Sequence, residues 1–390
     1  MNLLLIIGLI LIISALSCKI TSRIGLPVLV GFILIGALIG RWYDFASVSY
    51  AEHICNFALL FIIFTGGFQI DFARVKPVLA VSTLMSAVGT IMTAALAAAF
   101  AYFILRLELA AAMLLGAVIS ATDAASVFSI LSSSKLNLKN NLDSILQMES
   151  GSNDPFAYML TVVFLSVASS GAQNVAVLLL MQISIGAAVG VVVAMLGRRM
   201  INRLNMAIDG LYFALLCGVA VLIFSAAGLL GGNGFLAVYI GGIILGNGRL
   251  AHKEFLSGLF DAVSMLMQIA LFVVLGILWN PGFFISSLLY GLAFALFLLF
   301  IARPFVVFLL MKPFRYKINE IALVSWAGFR GASSIVFATY LLSAGLPYAE
   351  YIFSFVFFVC LLSVISQGSL LPPLAKRLGL VHEENEESDS

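Results

Sequence analysis

The sequence predicts an all-α polytopic membrane protein, and three observations carry that prediction. Hydrophobic residues make up 63% of the 390 and charged ones only 10%, far from the roughly one half and one quarter of a soluble globular protein. Several apolar stretches exceed the ~18 residues needed to cross about 30 Å of hydrocarbon, which favours helices over the short alternating strands of a barrel. The third observation is the placing of the cations. Of the 20 Lys and Arg, all but Arg41, Arg106, Arg303 and Arg330 fall in alternate loops between these stretches.

Cutting at charged and Gly/Pro-bearing breaks gives thirteen spans, at about 2–18, 26–41, 50–68, 78–104, 109–132, 145–169, 173–197, 209–229, 234–248, 256–278, 284–311, 320–344 and 349–372. The first is apolar without a basic leading region, so it reads as a spanning helix and not as a cleaved signal peptide. The basic loops carry Lys19 and Arg23; Arg74 and Lys76; Lys135 and Lys139; Arg198, Arg199 and Arg203; Arg249 and Lys253; Lys312, Arg315 and Lys317; Lys376 and Arg377. Such loops stay on the cytoplasmic side. The N-terminus is therefore expected outside and the C-terminus in the cytoplasm, and one missed span would scramble every later loop.

Residues 376–390 are expected to form a cytoplasmic tail whose acidic end, EENEESDS (383–390), stays solvated. Any cytoplasmic regulatory domain or subunit is expected on another chain or outside this sequence. The Gly-rich run 228–247 lacks a Gly-Lys-Ser/Thr ending, so it reads as close helix packing and not as a phosphate loop. Cys18, Cys55, Cys217 and Cys360 have no paired metal spacing and read as small buried hydrophobes. His53, His252 and His382 lack a neighbouring His or Cys, which argues against a transition-metal site. A net charge of +2 spread over loops gives no reason to expect nucleic acid.

Two spans look breakable, the fifth at Ala121-Thr122-Asp123 and the twelfth at Gly328-Phe329-Arg330-Gly331. They lie seven spans apart, and seven is odd, so they run in opposite senses through the membrane. That is the arrangement of an inverted repeat, in which broken helices of the two halves meet near the midplane around a substrate site.

The polar residues are few and concentrated. Thr122 and Asp123 are followed by Glu149, Ser150, Asn153 and Asp154 at lipid depth, where a charge costs about 2.5–3.5 kcal/mol even on the lenient insertion scale. Intramembrane acids at that cost point to an ion or proton pathway. Residues four apart are helix neighbours, so Ser150 lines up with Asp154 and Glu149 with Asn153. The first pair offers a carboxylate and a hydroxyl to a dehydrated cation, the second a carboxylate braced by an amide.

Asp154 is the natural carrier, since a proton and a cation compete for one carboxylate. A break at Thr122 frees its carbonyl and hydroxyl to complete a cation shell. Asp123 is expected to offset the positive end of the second half-helix. Glu149 needs a partner, and Arg330, the basic residue near mid-span in a broken-helix candidate, is the expected salt bridge. Arg303, beside Pro304, is divided between snorkelling or packing and a functional role. Ser152 and Ser334 read as helix-interface hydroxyls.

With these residues in hand, the chain resembles the monovalent cation/proton antiporters, in the NhaP-type branch and nearest to bacterial potassium/proton antiporters. The resemblance runs over most of the membrane portion. It is carried by FIIFTGGFQIDF (61–72), ISATDAASV (119–127), MESGSNDPFAYMLT (148–161), GFLAVYIGGIILGN (234–247), ARPFVVF (302–308) and WAGFRGASSIVFA (326–338). It implies thirteen helices, two inverted repeats with crossed broken helices five and twelve, and a homodimer in the cell inner (plasma) membrane. It also implies transport helices at about 78–169 and 284–372 and dimer or scaffold helices at about 1–68 and 173–278.

By resemblance, Asp154 carries the cation and the proton, Ser150 and Thr122 are ion ligands, and Asp123, Glu149, Asn153 and Arg330 form the supporting network. The transported K+ or Na+ is the metal involved, K+ being favoured, and no cofactor or enzymatic activity is implied. Asn153-Asp154, in place of the two adjacent aspartates of electrogenic relatives, implies one proton per cation. Many relatives carry an acid after the Phe of the third-span motif, where this chain has Thr65 after Phe64. Thr65, where this chain departs from that pattern, and Arg303 stand as further candidates.

Two other functions fit these residues less well. An intramembrane aspartyl protease requires a Gly-x-Gly-Asp context, which neither Asp123 nor Asp154 has. A passive cation channel favours rings of carbonyls or charges over one asymmetric carboxylate.

Overall fold

The computed structural model describes residues 3–24, 27–41, 48–123, 127, 137–171, 174–204, 206, 208–250, 252–279 and 281–382. The acidic run 383–390 and most of the second half of the fifth span lie outside the described residues. Helices account for nearly all of the rest: α1 (Leu3–Ile24), α2 (Val28–Gly40), α3 (Val48–Gln69), α4 (Phe72–Phe103), α5 (Leu109–Ile119), α6 (Leu142–Ser170), α7 (Val175–Arg203), α8 (Asp209–Leu229), α9 (Gly234–Asn247), α10 (Lys253–Ile277), α11 (Pro281–Phe297), α12 (Arg303–Met311), α13 (Ile318–Trp326), α14 (Ala332–Ser343) and α15 (Ala349–Arg377). With α11 and α12 joined through a π-turn at Leu298–Ala302, and α13 and α14 forming one interrupted span, they fill the thirteen segments read from the sequence.

Seven of these helices are long and apolar enough to cross a membrane by length and composition. The polar string Glu149 to Asp154 sits inside α6, and breaks shorten α5, α13 and α14. The chemistry that marks the site is thus what weakens the hydropathy signal there.

Helix starts are set by local donors and acceptors. The side chains of Asn174 and Asn233 accept from Val177 N and Leu236 N, capping α7 and α9. Pro155 inside α6 removes one ladder bond, and Asn233 Nδ2 donates to the Pro155 carbonyl at 2.7 Å, fastening that point of α6 to the start of α9.

In lipid, apolar burial does not drive helices together, so close packing at small residues has to. α9 packs on α3 and α7, and α2 on α10. A Cβ on Gly242 would meet Phe64 O at 2.6 Å, and one on Gly67 would meet Tyr239 O at 2.6 Å. The Gly-rich run is accordingly a packing surface. Cys55 and Cys360 are buried, while Cys18 and Cys217 are half-buried.

Beyond α15 the chain turns back along the segment that leads into α6. Leu138 and Val381 form an antiparallel bridge. Lys139 N donates to Leu380 O at 2.8 Å and His382 N to Asn137 O at 2.9 Å. Asn140 Nδ2 donates to Glu320 Oε1 at 2.5 Å, tying the same segment to α13.

Candidate functional site

The two interrupted spans meet at their breaks. α5 ends at Ile119 and the chain continues unwound through Asp123; α13 ends at Trp326 and resumes as α14 at Ala332. Asp123 N donates to Phe329 O at 2.9 Å, which pairs the two extended segments. A Cβ on Gly331 would run into the Asp123 carboxylate, so glycine is required by the close approach of the two breaks. Gly331→Ala is expected to lower stability by about 1–3 kcal/mol through overpacking and to slow transport, read from a thermal melt in detergent and a flux assay.

α6 passes beside the crossing and supplies the acids. Thr122 is the link: its N–H donates to Asn153 Oδ1 at 3.3 Å and its hydroxyl to Ser150 Oγ at 3.2 Å, while Asn153 Nδ2 donates to Thr122 Oγ1. The Ser150 and Asn153 faces of α6, which helical geometry separates, are therefore joined by one residue from the break. Asn153 Nδ2 also reaches Glu149 Oε1 at 3.3 Å, the expected brace.

The Glu149 partner corrects the sequence reading. Arg303 Nη1 and Nη2 donate to Glu149 Oε1 and Oε2 at 2.9 and 2.8 Å, a bidentate pair with both side chains buried. Arg303 therefore does not snorkel. Arg330, the expected partner, instead donates from Nη1 to Ser120 O at 2.7 Å and Ala121 O at 3.0 Å. The reason is the helix end: the last carbonyls of α5 are without intrahelical donors, and a cation there also meets the negative end of the helix dipole. Ser334 Oγ adds a longer bond to Ala121 O at 3.4 Å.

Asp154 lies one turn beyond Ser150, only 3% exposed, and its Oδ1 has no hydrogen-bond partner. Ser333, at the start of α14, faces its carboxylate, and Ser333 Oγ is likewise without a hydrogen-bond partner. Asp123 and Glu149 are the acids whose charge reaches it. A buried oxygen with no donor is arranged to take a proton or a cation, since leaving it bare is costly.

The Asp123 side chain lies against Gly331, the residue preceding α14. Its charge therefore faces the N-terminal end of the other broken helix, and Val127 N donates to Asp123 O at 3.2 Å; the expected offset of its own second half falls on residues outside those described.

Other groups sit further out. Ser152 meets Ser86 at 2.5 Å and bonds Met148 O, a helix-interface role. Thr65 is buried on α3 with its hydroxyl unpartnered, and so makes no bond to Asp154. Sequence reasoning missed Ser333, and also the chain from Arg330 N through Ser363 Oγ to Gln367 and the Trp326 carbonyl. For Ser333 the available signal was its place two residues after Gly331, in the first turn beyond a break.

Residues 9–377 match the family described as sodium/hydrogen exchanger, transmembrane. The chain is 34% identical to the K(+)/H(+) antiporter NhaP of Alkalimonas amylolytica over 96% of its own length and 67% of that protein's. It is 32% identical to the K(+)/H(+) antiporter NhaP2 of a Shewanella species, over 93% of this chain and 65% of that one. It thus spans about two thirds of the length of these curated relatives. Its fold matches that of the sodium proton antiporter MjNhaP1 from Methanocaldococcus jannaschii at pH 8, with a TM-score of 0.84, 23% identity, and coverage of 97% of this chain and 99% of that one.

Proposed function

The chain belongs to the sodium/hydrogen exchanger, transmembrane family, and from that premise we propose that it exchanges a monovalent cation for a proton across a membrane by alternating access. The observation that carries the reading is Asp154: a buried carboxylate with an unpartnered oxygen, one helical turn from Ser150 and linked through it to the Thr122 break. Asp154, Ser150 and Thr122 bind the cation. Asp123, Asn153, and the Glu149–Arg303 pair hold them in place, and Arg330 fixes the end of α5. K+ is the favoured ion, supported by the names of two relatives that are 34% and 32% identical to this chain. Na+ is the alternative, and the carboxylate chemistry admits both.

The working unit is a homodimer in the cell inner membrane, with the N-terminus outside and the C-terminus in the cytoplasm, an orientation supported by the alternating cationic loops. The deciding experiment is cation-induced dequenching of a proton-gradient dye in proteoliposomes, run with Na+, K+, Li+ and Rb+ in turn. Absence of any cation-dependent proton movement would dispose of the reading.

One carboxylate holds either a proton or a cation but not both, and Asn153 supplies no second titrating group, so exchange is expected to be one for one and electroneutral. Its pH dependence has a definite sign. Lowering pH loads Asp154 with protons that a cation must displace, so uptake slows toward acid and recovers with more cation. An imposed membrane potential that by itself drives protein-dependent proton flux would contradict the stoichiometry.

A further inference from the structure

Beside the Glu149–Arg303 pair, and bordered by Trp326, Gly328 and Arg330 of the α13–α14 break, lies a cavity of about 240 Å³ between α11–α12 and α15; neither Asp154 nor Ser150 lines it. One wall is a stripe of α11 and its π-turn, Leu292, Ala295, Leu296 and Leu299, that leads at helical spacing to Arg303. The other is a stripe of α15 in which Val359 and Leu362 precede Ser363, Ser366 and Gln367. The two helices pass the cavity in the same sense. Phe294 lies against Phe355, ring centroids 5.3 Å apart; further along, Arg330 N bonds Ser363 Oγ and Gly328 presses on Arg303. One end of the slot is therefore hydrocarbon, and the other collects two guanidinium groups, two hydroxyls and an amide.

At the polar end two donors lack acceptors. Glu149 occupies Arg303 Nη1 and Nη2 and the α5 carbonyls occupy Arg330 Nη1, leaving Arg303 Nε and Arg330 Nη2 unpartnered though both side chains are 3% exposed. Buried donors of this kind are normally satisfied. Along this wall Leu292, Leu296 and Phe300 are 39%, 45% and 60% exposed, so the slot borders the lipid-facing surface. Water would satisfy the donors but not the apolar walls, and a lipid tail alone would do the reverse.

We propose that this slot binds a long-chain carboxylate, an amphiphile of fatty-acid type. Its head accepts hydrogen bonds from Arg303 Nε and Arg330 Nη2, and its chain lies along Leu299, Leu296 and Leu292 toward the bilayer. The stripe from Leu292 to Arg303 runs ~16 Å at 1.5 Å per residue, and the volume suits one chain and not a two-chain glycerolipid. The site needs no assumption about which ion is transported.

The test uses the full chain, delipidated in detergent, with a palmitate analogue bearing a photoreactive group on its chain, and palmitate, methyl palmitate, acetate and inorganic phosphate as competitors. Palmitate is expected to displace the probe, and crosslinks are expected within 292–299. Methyl palmitate is expected to compete about ten-fold less well or worse, the worth of one lost charge-assisted hydrogen bond. Ala295→Phe, which fills the slot away from the ion residues, is expected to abolish crosslinking while the melting temperature and cation/proton exchange persist. Equal competition by the methyl ester, full competition by acetate or phosphate, or undiminished crosslinking in Ala295→Phe each overturns the proposal. The ester comparison decides the matter on the unaltered protein should that variant fail to fold.

Discussion

Asp154→Asn is expected to reduce cation/proton exchange to the background of protein-free vesicles while leaving a folded, membrane-inserted protein. Asn is nearly isosteric with Asp and keeps one carbonyl oxygen, so packing against Ser333 and Ser150 survives. What is lost is the group proposed to hold a proton at one moment and a metal ion at another. The variant should match the unaltered protein in melting temperature, because the unpartnered Oδ1 contributes no native hydrogen bond that the substitution removes. Substantial exchange by Asp154→Asn would move the carrier elsewhere, with Asp123 the next acid at the break.

Separating Glu149 from Arg303 is expected to have the largest effect on stability. The pair is bidentate at 2.8 and 2.9 Å with both partners buried, and removing one partner from such a pair costs about 3–5 kcal/mol because the other charge is left uncompensated. Glu149→Gln and Arg303→Ala should each lower the melting temperature strongly, and the double variant should recover part of the loss. Arg330→Ala should cost less and couple more weakly to Glu149→Gln than Arg303→Ala does, since its hydrogen-bond partners are carbonyls. A double-mutant cycle over the three positions measures this directly. Coupling of Glu149 to Arg330 in place of Arg303 would contradict the geometry.

The pattern of legible and illegible features follows from what each depends on. Span number and sequence depend on hydrophobic length and on where Lys and Arg fall, both written locally, and so α1 to α15 fill the segments expected. The grouping of Ser150 with Asp154 and Glu149 with Asn153 follows from a period of 3.6 residues and needs no tertiary knowledge. The partner of Glu149 does not. Arg303 and Arg330 are both single cations in apolar spans, and which one reaches Glu149 is decided by how α12 and the break beside α14 dock on α6. The carbonyls of Ser120 and Ala121, invisible in a side-chain reading, claim Arg330 first. Ser333 was passed over for a similar reason, because one more hydroxyl in a membrane helix is ordinary until a break turns it toward a carboxylate.

The segment after α15 has a mechanical meaning. Because Leu380 and His382 share backbone hydrogen bonds with Lys139 and Asn137, a load applied to the chain at His382 is not carried by α15 alone. It divides between α15 and the stem of α6, and through Asn140 and Glu320 it reaches α13 as well. Each of the three leads inward to the candidate site: α6 to Asp154, α13 to the break at Arg330, and α15 to Ser363, which holds Arg330 N. A displacement of the segment around the Leu138–Val381 bridge would therefore bear on all three elements at once, with that bridge as the linkage.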